Sequence, residues 1–96
     1  MKCDKSVRWE NVTYNLVLTT KETELFQVIL TDDGVGPADV AIYDGTDANG
    51  RAVSLLRSLQ HATLQVNFEE GITLNQGLFV KVGENVGSCL VRYREC

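Results

Sequence analysis

The sequence predicts an all-β, single-domain antiparallel β-sandwich of about eight short strands, jelly-roll-like in arrangement. Two observations predict it. Apolar and polar residues alternate with a period of two along most of the chain, which is what a strand with one dry and one wet face requires. Joints rich in glycine and Asx separate these runs at short, even intervals. Ninety-six residues leave room for one core, so residues 1–96 form one domain, with 1–9 as an N-terminal arm.

Val12, Tyr14, Leu16 and Leu18 fall on one side of a first strand over 11–19, and Trp9 is placed where it would cap one end of the core. Phe26, Val28 and Leu30 define the inner face of a strand over 24–31. Val40 and Ile42 do the same in 39–44, and Leu64, Val66 and Phe68 in 62–68. Leu78, Val80 and Val82 follow in 77–83, then Cys89, Val91 and Tyr93 in 88–94. Tyr14 and Tyr93 share faces with aliphatic residues and are expected at the core or its edge. In "RAVSLLRSLQ" (51–60), Ala52, Leu55, Leu56 and Leu59 have helical spacing, while Val53, Leu55 and Leu59 suit a strand face. Flanking strands and short turns favour the strand. A short strand near 72–75 completes the set.

The joints are "TTKET", "TDDGVGPA", "DGTDANG", "EEG", "NQG" and "GENVG", and all eight glycines lie in or beside them. Leu25, Ile29 and Phe79 are apolar on the second face of their strands, which hints at a surface covered by another chain.

Composition narrows the function. An apolar fraction of 44% and a charged fraction of 23% are those of a globular domain. A net charge of −4 with scattered Lys and Arg argues against a nucleic-acid partner, and no apolar run approaches a membrane span. "MKCDKSVRWE" has no signal-peptide core, so synthesis in the cytosol without a signal peptide is expected, and Asn11-Val12-Thr13 reads as a chance glycosylation triplet.

Each candidate chemistry has a plainer counterpart. Asp44, Asp47 and Asn49 in "IYDGTDANGR" could cradle Ca²⁺, with Asp32 or Glu69 contributing from other loops. The EF-hand register fails, because it puts Gly45 and Leu56 at two essential ligand positions. Turn stabilisation by Asp44 and Asn49 is the preferred reading, and no metal or cofactor is expected. Asp32-Asp33 and Glu69-Glu70 are neighbours that point to opposite faces of a strand, so neither pair is arranged for acid–base work. His61 is the only histidine, and no motif couples it to a nucleophile, so no catalytic residue is assigned and an enzyme is not expected.

Three cysteines cannot all close within one chain. Cys89 alternates with Val91 and Tyr93 and is expected to be a buried thiol. Cys3 and Cys96 lie at the termini, within reach of a neighbour, and are the expected positions of an intermolecular disulfide.

The run from "VAIYDGTDANGRAV" through "VNFEEGITLNQGLFVKVGENVGSCLVRY", residues 39–94, resembles small β-proteins among the structural genes of tailed bacteriophages. The likeness lies in "YDG" before a small-polar loop, then "F…GI…GLFV", then a final "V-x-Y" strand. It implies a virion location and a capsid decoration (cement) or tail accessory role. Its implied partners are the major capsid protein or other virion proteins and further copies of itself, a trimer being the expected oligomer. The alternative is a ligand- or carbohydrate-binding sandwich with an irregular Ca²⁺ site.

Overall fold

The computed structural model describes residues 5–96 and contains eight strands: β1 (Arg8–Asn11), β2 (Leu16–Thr19), β3 (Thr23–Asp32), β4 (Asp39–Asp44), β5 (Arg51–Arg57), β6 (Thr63–Leu74), β7 (Leu78–Val82) and β8 (Val86–Glu95). They form two four-stranded sheets, with orders β1-β8-β3-β6 and β2-β7-β4-β5, and every pairing is antiparallel. β4 pairs with β5, β3 with β6, β2 with β7 and β1 with β8. These are four nested pairs wound about the 45–50 turn, which is the jelly-roll order.

The inner faces meet in a core of Leu25, Val28 and Leu30 from β3, Val40 and Ile42 from β4, Leu78 and Val80 from β7, and Cys89, Val91 and Tyr93 from β8. Val12, Ala38, Leu56 and Leu74 complete it. β4, β7 and β8 follow the alternation read from their sequences.

The expected 11–19 strand is two strands in different sheets. β1 pairs with β8 and β2 with β7, and residues 12–15 pass between the layers. Asparagine side chains supply the bonds that a ladder would have made there. Asn11 Oδ1 accepts the Cys89 N–H at 3.1 Å, and Asn15 Oδ1 accepts the Val82 N–H at 2.8 Å. Val12 is fully buried in the crossing and donates its N–H to the Cys89 carbonyl at 2.8 Å. Tyr14 lands on the outside of the crossing, 63% exposed, rather than at the core. Arg8 and Trp9, expected in the arm, begin β1, and Trp9 stands on the outer face beside Arg92 instead of capping the core.

Phe26, expected on the inner face of its strand, lies on the outer one. The β3 register slips between Leu25 and Gln27, where residues 68–71 of β6 lie against a single residue of β3. This bulge reverses the phase of the alternation. Leu25 therefore points inward and is fully buried, whereas Phe26 points outward. Gly71 makes the bulge possible: its φ is +82°, and a Cβ there would sit 3.0 Å from Phe26 Cε1. "EEG" is thus a bulge inside β6 and not a joint, and 72–75 is largely the end of β6, not a separate strand. A further slip between Ile42 and Tyr43 sets Leu56 inward against Val40 and leaves Leu55 outside.

Candidate functional site: the outer face of the second sheet

The acidic residues that could have been cation ligands, Asp32, Asp44 and Asp47, serve as loop ties. Asp44, at the end of β4, accepts N–H groups of Gln76 at 2.8 Å and Asn75 at 3.2 Å, and its Oδ2 also takes Arg51 at 3.1 Å. Asp47 Oδ1 accepts the Asn49 N–H at 2.9 Å, an Asx turn in which Asn49 contributes its main chain and not its side chain. The Asp44 carboxylate is turned into the 75–76 turn, so the opening it would need for a cation is filled by N–H donors. Asp32 accepts Gly34, His61 and Ala62 N–H groups at 2.8, 2.9 and 3.1 Å. Those donors, that of His61 foremost, hold its carboxyl below the usual 3.8. Asp33 closes its own turn with the Val35 N–H, and Glu69 and Glu70 are exposed at the bulge. His61 is exposed, at φ +59°, and its N–H is one of the donors to Asp32. Among the described residues no group of three or more His, Cys, Asp or Glu converges to hold a metal ion.

Cys89 is fully buried, and burial pushes its thiol up to about 11. Cys3 lies outside the described residues. Cys96 is half-buried, and its N–H donates to the Glu22 carbonyl at 2.9 Å.

The outer face of the first sheet carries a cationic and aromatic ladder. The Arg92 guanidinium stands 6.0 Å from the Trp9 ring and 5.6 Å from the Phe26 ring, and Arg94 lies 5.4 Å from Phe26 while pairing with Glu24 at 2.7 Å. These groups satisfy one another. At the sheet's margin, Glu95 accepts the Thr19 hydroxyl and pairs with Arg8 at 2.9 Å, which holds its carboxyl below the usual 4.5.

The second sheet differs. Its outer positions run Val17 on β2, Phe79 on β7, Tyr43 and Ala41 on β4, then Leu55 on β5, with Val17 opposite Phe79, Phe79 opposite Tyr43, and Ala41 opposite Leu55. This is an apolar belt across all four strands. Tyr43 and Phe79 rings lie 6.1 Å apart with a 39° tilt. Ala41 is small and is flanked by Leu55 and Lys81, so the sheet dips there. The resulting open depression is about 340 Å³, walled by Tyr43, Leu55 and the Lys81 stem, with Asp39 and Arg57 at its rim. Leu55 is 74% exposed beside it, and Leu59, just past the strand, is 77% exposed.

Of this belt the sequence reading singled out Phe79. Val17, Ala41 and Leu55 do not read as one surface with Phe79 from the sequence, because β4 reads as a strand through Val40 and Ile42. The available signal was that two of the three odd-numbered positions of β4, Ala41 and Tyr43, are not charged. No family model, curated protein or solved structure matches the chain.

Proposed function

We propose that this chain is a non-enzymatic virion structural protein, a capsid decoration protein that binds the major capsid protein and stabilises the particle across subunit junctions. The observation that carries the reading is the apolar belt Val17–Phe79–Tyr43–Ala41–Leu55. The solvent face of an antiparallel sheet is ordinarily polar, and a contiguous apolar stretch on it marks a place where another molecule sits. The composition fits a protein interface: aromatic and aliphatic anchors at the centre, with Lys81, Arg57 and Asp39 as a charged rim. The rim charges would set orientation on the shell while the belt supplies affinity. Three of the four strands that build this face, β4, β5 and β7, fall within the 39–94 stretch that resembles phage structural proteins.

Deleting the gene and heating the resulting particles tests this reading. Particles lacking the protein are expected to lose infectivity at lower temperature, and adding purified protein is expected to restore it. Unchanged heat resistance would rule the role out. Glycan binding that is lost in Tyr43→Ala would instead put the protein in the carbohydrate-binding class.

A further inference from the structure

β6 is the last strand of the first sheet, with β3 on one side and an open edge on the other. Apart from the ladder to β3, the main chain of 64–68 has no hydrogen-bond partner among the described residues. Open edges invite pairing with another chain, and proteins usually guard them with charge, proline, shortness or a bulge. The other edge strands are guarded: β1 carries Arg8 and Glu10, β5 is bounded by Arg51 and Arg57, and β2 has four residues and a register slip. The second half of β6 is guarded as well, by Glu69, Glu70 and the bulge. Its first half is not. The stretch "HATLQVNF", 61–68, contains no Lys, Arg, Asp, Glu or Pro.

We propose that the 63–67 run of β6 docks a second copy of this chain, strand to strand and antiparallel, about a two-fold axis through Gln65. The uninterrupted pairing to β3 runs from Thr63 to Asn67, and Gln65 is its centre. A two-fold axis there sets Gln65 against its own copy, Thr63 against Asn67 of the second copy, and Leu64 against Val66 of the second copy. Opposed residues then share a face. Exposed Thr63, Gln65 and Asn67 meet hydroxyl and amide groups, and half-buried Leu64 and Val66 cover each other. No charge meets its own image. The contact is isologous and closes at two copies, joining the first sheets into one of eight strands. Its contact length is roughly 17 Å, at about 3.4 Å per residue, so the interface is small and reversible. The pairing rests on this edge and not on the virion reading.

Sedimentation velocity on the full chain over a concentration series tests it. Wild type is expected to pass from monomer to dimer. Gln65→Lys and Gln65→Glu, each at an exposed position and checked for fold by circular dichroism, are expected to stay monomeric alone, and an equimolar mixture of the two is expected to dimerise again. A wild type that stays monomeric or forms a trimer would overturn the proposal. So would a dimer that tolerates both charges, or a mixture that fails to reassociate.

Discussion

Asp44 Oδ1 at the end of β4 accepts the main-chain N–H of Gln76, 32 residues further on, at 2.8 Å. The bond fastens the turn at the apex of the nested strands to the turn between β6 and β7. Asp44 is 6% exposed, so removing its carboxylate takes the acceptor from the Asn75 and Gln76 N–H groups, while the exposed Arg51 turns to solvent. Asp44→Ala is expected to cost about 1–3 kcal/mol, the range for a buried acceptor whose removal leaves its N–H donors unpaired. Asp47→Ala, which breaks one exposed Asx bond, is expected to cost under about 1 kcal/mol. Urea denaturation ranks the two. The reverse order would show that the 45–50 turn, not the tie to 75–76, holds this end together.

The β3 bulge makes neighbouring residues unequal. Leu25→Ala empties a fully buried site and is expected to cost about 2–5 kcal/mol. Phe26→Ala removes an outward ring that contacts Arg92 and Arg94, with an expected cost of about 1–2 kcal/mol. Equal losses in urea melts would mean that the phase reversal between Leu25 and Gln27 is wrong.

Acid sensitivity is expected to begin in the carboxylate range. Asp32 and Glu95 both titrate below their ordinary values of 3.8 and 4.5 when folded, because N–H donors hold the first and the Thr19 hydroxyl holds the second. A depressed folded value means the unfolded chain binds protons first as pH falls. The stabilisation is therefore complete above those ordinary values and is lost as pH drops through the folded ones. Urea midpoints measured from neutral pH downward are expected to fall steeply there. Asp32→Asn is expected to flatten that slope, and an unchanged slope would contradict the role given to the 61–62 tie.

Cys89 gives the opposite limb. Its folded thiol is raised from 9.0 to about 11, so above pH 9.0 the unfolded chain loses a proton that the native protein retains. Stability is expected to fall as pH rises through that interval, and less so in Cys89→Ala. Alkylation at neutral pH followed by peptide mass spectrometry is expected to leave Cys89 unmodified in native protein and modified in urea. Rapid native modification would contradict its burial.

Much of the architecture was legible because β4, β7 and β8 keep one alternation phase along the core-forming stretch. Val80, Val91 and Tyr93 could be assigned to the core from parity alone. The errors cluster where parity changes. Nothing within "TELFQVILTD" marks a bulge; the mark is Gly71, on the partner strand, and it becomes meaningful only once β3 and β6 are paired. The crossing at 12–15 was hidden for a similar reason, since Tyr14 keeps the parity of Val12 and Leu16 although the chain leaves one sheet for the other. The apolar belt needed the order β2-β7-β4-β5, because residues 17, 41, 43, 55 and 79 become neighbours only across strands.

The most direct measurement of the central claim is cosedimentation of purified protein with particles that lack it. Wild type is compared with Ala41→Arg, which fills the depression without touching the core. Wild type is expected to pellet with the particles and restore their heat resistance, whereas Ala41→Arg, folded by circular dichroism, is expected to remain in the supernatant. Equal binding by both proteins, or none by either, would contradict a docking role for the outer face of the second sheet.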